Sequence, residues 1–281
     1  MPASLPVPDV HLRRAWRPAA LLQGSLALHA GALIAVLLRP ALWPWALAAI
    51  VGNHLLLTAA GLWPRSQVLG RNLARLPGDV PEVALTIDDG PDPEVTPQVL
   101  ALLDAHQVQA TFFCVGERIR RYPELAREIV RRGHAIENHS EHHPLRFSLM
   151  GPRAMAREVA GAQESIRSVT GQTAQFFRAP AGLRNPLLDP VLASAGLTLA
   201  SWTRRGFDTL NADPQVILAR LTRGLKAGDI LLLHDGHAAR SAAGVPVILG
   251  VLPPLLAQLR AARLTPVTLR AALAGRATQR P

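Results

Sequence analysis

Two adjacent aspartates, Asp88 and Asp89, stand in the run TIDDGP, and some fifty residues later NHSEHHP sets three histidines within five positions. Imidazoles and carboxylates are the side chains that hold divalent cations or move protons near neutral pH. His139 and His143 are four residues apart, a spacing that puts both side chains on one face if the segment forms a helical turn. His142 would then point about 100° away from His143. Two imidazoles and one carboxylate leave a coordination position open for water, the arrangement of a catalytic rather than a structural zinc site. One aspartate of the pair can supply that carboxylate while its neighbour stays free as a base. A bound cation lowers the pKa of its water toward about 7, so a nearby carboxylate can take the proton. His234, in LLLHDG, can give a proton to a poor leaving group such as an amine. These parts amount to metal-assisted hydrolysis of an amide or ester.

Residues so far apart need a scaffold that gathers them. Short apolar strands are expected at 83–87, 110–115, 134–138, 175–178, 197–201, 229–233 and 265–269. Helices are expected at 96–105, 123–132, 152–169, 186–194, after Asp213-Pro214, and at 245–263. Alternating strands and helices build an α/β domain on parallel strands. Seven strands suit an irregular barrel; an open doubly wound sheet is the competitor, without a G-x-G-x-x-G after its first strand. Active sites in such folds gather at the carboxyl ends of the strands. Polar residues recur there: Asp88-Asp89, Asn138-His139, Arg178, Trp202 with Asp208, and His234-Asp235. Singly, Asp-Asp-Gly-Pro is a turn, Arg178 an ion-pair partner, His234 a core histidine and Trp202 a packing residue. Five such coincidences on one rim make a site.

TIDDGP, NHSEHHP, FFRAPAG, the stretch from Trp202 to Asp208, and LLLHDG, in that order, resemble the five motifs of the polysaccharide deacetylases, the NodB-homology carbohydrate esterases of family four. The resemblance covers about residues 81–270. It implies a deformed (β/α) barrel that removes N-acyl groups, most commonly N-acetyl, from amino sugars with a divalent metal, usually zinc, with cobalt, nickel or manganese as substitutes. By that resemblance Asp88 is the general base, and Asp89, His139 and His143 are the metal ligands. Arg178 holds the base, Asp208 tunes the acid His234, the backbone N–H of Ala181 meets the oxyanion, and Leu232 lines the acyl pocket with Trp202 nearby. Glu141 is then not the base, and His142 is a bystander. Ala181 stands where the family often has an aromatic, Arg205 where aspartate is frequent, and Thr209 where tryptophan is common, so the substrate pocket should differ from the usual one. A non-catalytic carbohydrate-binding protein of the same fold is the alternative, but it would need no acid–base pair.

The first eighty residues are a different material. Between Arg17 and Arg65 the only charge is Arg39, and two apolar runs, 19–38 and 41–62, meet at Arg39-Pro40. Each reaches the roughly 20 residues that cross a bilayer as a helix, and Trp43, Trp45 and Trp63 sit near the run ends, where indoles favour the interface. The expected organisation is a basic segment (1–17), a transmembrane hairpin (18–63), a linker (64–80), the catalytic domain (81–272) and a tail (273–281). Arg13, Arg14 and Arg17 before the hairpin and Arg65, Arg71 and Arg75 after it favour, with two spans, the cytoplasmic side of a bacterial-type inner membrane for both flanks and the catalytic face; with one span the catalytic domain lies on the other side. The expected partner is an N-acylated amino-sugar glycan or glycolipid. The net charge is +10, with Lys226 the only lysine, but the arginines are scattered and aromatics are 4%. Nucleic-acid binding, which pairs positive charge with stacking aromatics, is not expected. Cys114 is the single cysteine, in an apolar setting, so it reads as an inert buried thiol.

Overall fold

The computed structural model describes residues 15–277 apart from Asp79; Arg13 and Arg14 lie outside the described residues. Two helices come first, α1 (Ala20–Leu38) and α2 (Trp43–Leu62), both long and apolar enough to cross a membrane. Almost none of their surface is covered by protein: Leu37, Leu38 and Trp45 are each more than 70% exposed. A surface helix of a globular domain would show a polar face there. The few polar side chains turn toward one another instead. Asn53 Nδ2 donates to Ser25 Oγ (2.8 Å), and the Nε2 atoms of His29 and His54 lie 3.3 Å apart.

The remainder alternates strand and helix. β1 (Glu82–Asp88), α3 (Val95–Ala105), β2 (Thr111–Cys114), α4 (Gly116–Arg121), α5 (Pro123–Arg131) and β3 (Ala135–Asn138) form the first half. α6 (Pro152–Thr170), β4 (Phe176–Phe177), α7 (Leu188–Ser194), β5 (Thr198–Leu199), β6 (Arg204–Arg205), α8 (Pro214–Thr222), β7 (Ile230–His234), α9 (Val247–Ala261), β8 (Thr265–Val267) and α10 (Leu269–Ala277) complete it. Local chemistry sets several boundaries. Pro123 starts α5 at the position where a missing N–H costs nothing. Asp213 caps α8 by accepting from the N–H of Gln215 (2.8 Å). Gly171, at φ +72°, ends α6 in the left-handed conformation that glycine adopts without strain.

All strand pairings are parallel, in the order β5-β4-β3-β2-β1-β7-β6, with β8 beside the first half of β1. The sheet curls into the expected deformed (β/α) barrel, open between β5 and β6. Side chains alternate across it. Val83, Leu85 and Ile87 of β1 face the outer helices with Phe112 and Ile136, whereas Ala84 faces the barrel interior with Phe113, Leu232 and Trp202. Thr86 and Asp88 continue that inner row, so the last residue of β1 presents a carboxylate to the barrel mouth.

The open seam is not left bare. Residues 64–80, expected as a linker, run along it. Leu73 pairs with the chain beyond β5, donating to the carbonyl of Leu199 (2.8 Å), and Leu76 donates to the carbonyl of Gly228 just before β7 (2.8 Å). Leu69 and Leu76 are buried, and the Asn72 amide holds the carbonyls of Pro64 and Ser66.

Three local expectations change. Among the described residues there are eight strands rather than seven, because β6, two partly exposed arginines, carries no apolar alternation to read. α4 and α10 are likewise additions. The segment from His139 to His143 is not a helical turn, since Ser140 (φ +64°) and His143 (φ +50°) are left-handed.

Candidate active site

A cavity of about 540 Å³ opens at the carboxyl ends of the strands. Asp88, Asp89, His139, His143, Ala181, Trp202, Leu232 and His234 line it. The other two expected residues stand directly behind, Arg178 against Asp88 and Asp208 against His234.

Asp88 ends β1, and Asp89 follows at φ +75°, a left-handed turn that swings its carboxylate into the same mouth. Of the seven non-glycine residues with positive φ among the described residues, Asp89, Ser140, His143, Ala181 and Phe207 all belong to the loops around this cavity. Backbone strain of that kind persists where the surroundings over-determine it. The two left-handed residues also explain how His139 and His143 meet without a helix: their ring centroids are 4.8 Å apart. His142 turns the other way, its N–H and Nδ1 both on Glu158 of α6 (2.9 and 3.0 Å). Glu141 also faces α6, where it pairs with Arg120 and accepts from Ser165 Oγ (3.0 Å).

Asp89 Oδ1 is buried and accepts no hydrogen bond, yet it lies 3.2 Å from His139 Nε2 and 3.2 Å from His143 Nε2. One atom from each of the three residues falls within 4.8 Å of the others. An orphaned carboxylate oxygen between two imidazole nitrogens is what a cation would satisfy, so the residues fit a divalent metal. The outer hydrogen bonds fit as well. His139 Nδ1 lies 2.8 Å from the Arg178 carbonyl, which can only accept; Nδ1 therefore carries the proton and Nε2 offers its lone pair. Burial opposes charge on the His139 ring, but the Asp88 and Asp89 carboxylates outweigh it and raise its pKa. Burial dominates at His143 and pushes it down to about 4, keeping it neutral as a ligand must be. For Asp89 burial works upward, but the His139 and His237 imidazoles hold the carboxyl well below its usual range.

Asp88 is fixed by Arg178, whose guanidinium is fully buried. Its Nη1 donates to Asp88 Oδ1 (2.6 Å) and Thr86 Oγ1 (2.8 Å), Nε and Nη2 reach the carbonyls of Ala200 and Ser201, and Cζ lies 4.0 Å over the Phe113 ring. Asp88 Oδ2 is left toward the His139 ring, 3.8 Å from its Nε2. Across the cavity, His234 Nδ1 is 2.9 Å from Asp208 Oδ1, and Asp208 Oδ2 accepts the His234 backbone N–H (2.7 Å). Burial would lower the His234 pKa; the Asp208 carboxylate more than offsets this and raises it.

Two residues beside the site are absent from the sequence reading, and a third, Asp235, was read there only as a polar strand-end residue. His237 Nδ1 lies 3.0 Å from Asp89 Oδ2, and its signal was an imidazole three residues beyond His234 in the same strand-end loop. Arg118, on the unexpected α4, lines the cavity wall. Asp235 is fully buried behind Gly90, takes a hydrogen bond from Thr96 Oγ1 (2.5 Å), and is raised by burial to about 7.

Comparison with known proteins agrees with this geometry. A family profile described as polysaccharide deacetylase matches residues 76–200. A peptidoglycan-N-acetylglucosamine deacetylase of Bacillus cereus is 34% identical over 185 residues, 65% of this chain and 85% of that protein. A chitooligosaccharide deacetylase of Sinorhizobium fredii is 35% identical over 59% of this chain and 77% of its own. The solved structure of a family 4 carbohydrate esterase from Streptomyces lividans, in complex with acetate, superposes with a TM-score of 0.61 at 31% identity, covering 67% of this chain and 93% of that one.

Proposed function

The chain belongs to the polysaccharide deacetylases, the NodB-type carbohydrate esterases of family four, and is a hydrolase of amide bonds; on that premise we propose that it is a membrane-anchored, metal-dependent N-deacetylase acting on N-acetylated amino sugars of a polysaccharide or a lipid-linked glycan. The observation that carries the reading is the convergence of Asp89, His139 and His143 beside the restrained carboxylate of Asp88. The named activities of the relatives, on peptidoglycan and chitooligosaccharide N-acetylglucosamine, support the substrate class.

Asp89, His139 and His143 would hold the metal, zinc being the first choice for two imidazoles and a carboxylate. When bound, it supplies Lewis-acid polarisation of the acyl oxygen and acidifies water. Asp88, held by Arg178 so that Oδ2 faces the cavity, accepts a proton from water as the water oxygen bonds to the acyl carbon. The Ala181 backbone N–H would meet the charge that develops on the former carbonyl oxygen. His234 then gives its Nε2 proton to the departing nitrogen as the carbon–nitrogen bond breaks, leaving acetate and a free amine. Leu232 and Trp202 exclude water from the acyl group's side of the cavity. The apolar hairpin of α1 and α2 supports the membrane anchor, and the arginines flanking it favour a cytoplasmic catalytic face.

The test is acetate release from N-acetylglucosamine oligomers by the full-length protein in lipid nanodiscs. Release should stop on chelation and return with zinc. Turnover that survives exhaustive metal removal would sink the reading.

A further inference from the structure

A second groove, of about 580 Å³, adjoins the catalytic cavity and shares Trp202 and Arg205 with it. Its other walls include Trp63, Pro64 and Arg65, the first residues after α2, together with Arg220 and Arg223 at the end of α8. Five arginines line it and no acidic residue does. Arg204 is the one with a carboxylate partner, Asp229. Among the described residues the other four form no ion pair. Arg65 and Arg220 each give one hydrogen bond to a carbonyl, of Thr203 and Gly206 (both 3.3 Å). Arg205 Nε is buried with no partner while its guanidinium stacks between Trp202 and Phe207, 5.4 and 5.0 Å from the ring centroids. Arg223 is exposed, and its side chain has no partner among the described residues.

Unneutralised guanidiniums facing one space repel each other, and that cost is relieved by an anion. Forked N–H donors match phosphate oxygens best. The groove also lies directly beyond the end of α2, which on the membrane anchorage proposed above is the depth of lipid headgroups. Phosphate there can belong to the bilayer or to the substrate. Arg205 and Trp202 decide between them, because they form the wall common to both spaces; a bilayer headgroup has no reason to be placed against the catalytic cavity, whereas the linkage of a substrate does.

Resting on the deacetylase reading above, we propose that this groove binds the phosphate or diphosphate that joins an N-acetylated amino sugar to a lipid. The lipid stays in the bilayer beside Trp63, the linkage lies among Arg65, Arg205, Arg220 and Arg223, and the sugar's acyl group enters the cavity.

The experiment compares two substrates of the full-length protein in phosphatidylcholine nanodiscs: N-acetylglucosamine joined through diphosphate to a short polyprenol, and the same sugar as an uncharged alkyl glycoside. Acetate release should give a kcat/KM for the diphosphate substrate about tenfold or more above that for the glycoside. The Arg220→Gln/Arg223→Gln double variant, and separately Arg65→Gln, should bring that ratio toward one, as should raising the salt concentration. A wild-type ratio near one, or a ratio that neither variant moves, overturns the proposal, while turnover of the glycoside still upholds the deacetylase reading. A loss in the variants that is equal for both substrates and appears only in anionic bilayers also overturns it, because the groove would then be reading headgroups. Release from neither substrate removes the deacetylase reading and the proposal with it.

Discussion

Asp208 has no access to the cavity itself, and its effect passes through one imidazole. Its carboxylate raises the His234 pKa, so protonated His234 is present below that value and is lost as pH rises through it. Removing the charge lowers the pKa. In Asp208→Asn the basic limb of kcat/KM against pH should therefore move toward acid by about one unit, and an unmoved limb would mean that His234 is not the titrating acid. The proposed base and a proposed metal ligand separate by a different measurement. Asp88→Asn should lose about 10²–10⁴-fold in kcat, the usual range for a proton-transfer group, while keeping its zinc. His143→Ala should lose the zinc itself, read by elemental analysis after dialysis. At this scale the sequence was informative because nine of the ten candidate residues end a strand or lie in the loop after one at the same end of the domain; Leu232, inside β7, came only from the family resemblance. His237 escaped because nothing in its immediate surroundings separates a loop histidine from a ligand's neighbour. The left-handed turn at Ser140 escaped because serine does not announce positive φ, and the one at His143 because the enrichment of histidine there is too slight to mark a single position.

At the scale of elements, long strands and helices were readable and short ones were not. β1 and β7 are continuous apolar runs buried on both faces, as parallel strands are. β4, β5 and β6 are two residues each, below the length at which periodicity carries information, and the pairing of Arg204 and Arg205 with Leu231 and Leu232 comes from the neighbour strand rather than from their own type. One histidine shows what an element junction costs. His134, at the entry to β3, is buried with Nδ1 accepting the Ala110 N–H (3.1 Å), and burial lowers it to about 4. The folded state keeps this ring neutral where the unfolded chain, near 6.5, takes up a proton. Its contribution to stability is whole above about pH 6.5 and is lost as pH falls toward 4. The midpoint of thermal unfolding should decline over that window, and the decline should be shallower in His134→Asn, whose amide oxygen can accept the same N–H without titrating.

For the whole molecule the decisive contact is between the hairpin and the barrel. Gly61, one residue from the end of α2, accepts a hydrogen bond from Arg184 N–H (3.2 Å), and a Cβ at this position would stand 2.2 Å from the Arg184 carbonyl oxygen. Arg184 Nη2 in turn holds the Ser66 carbonyl (2.6 Å), and Trp16 Nε1 donates to Asp189 (2.8 Å). Gly61→Leu cannot fit without parting α2 from the loop that carries Ala181. The expected result is protein that still binds zinc but is cut between 62 and 76 by protease much faster than the wild type, a difference seen on a gel. The composition announced the hairpin, but not this docking, because it depends on a missing side chain rather than on one that is present.

The strand-like passage of residues 72–76 along the open seam has a consequence for where the enzyme can work. A free tether of that length would let the barrel sweep a volume several tens of ångströms from its anchor. Here the leash is stitched into the wall of the body it holds, so that volume collapses to a thin layer. With the hairpin in a bilayer, as proposed above, reaction becomes a two-dimensional encounter: the amino sugar must arrive by drifting in the plane of the bilayer, and glycan farther from the surface than the barrel mouth stays untouched however long the enzyme is left with it.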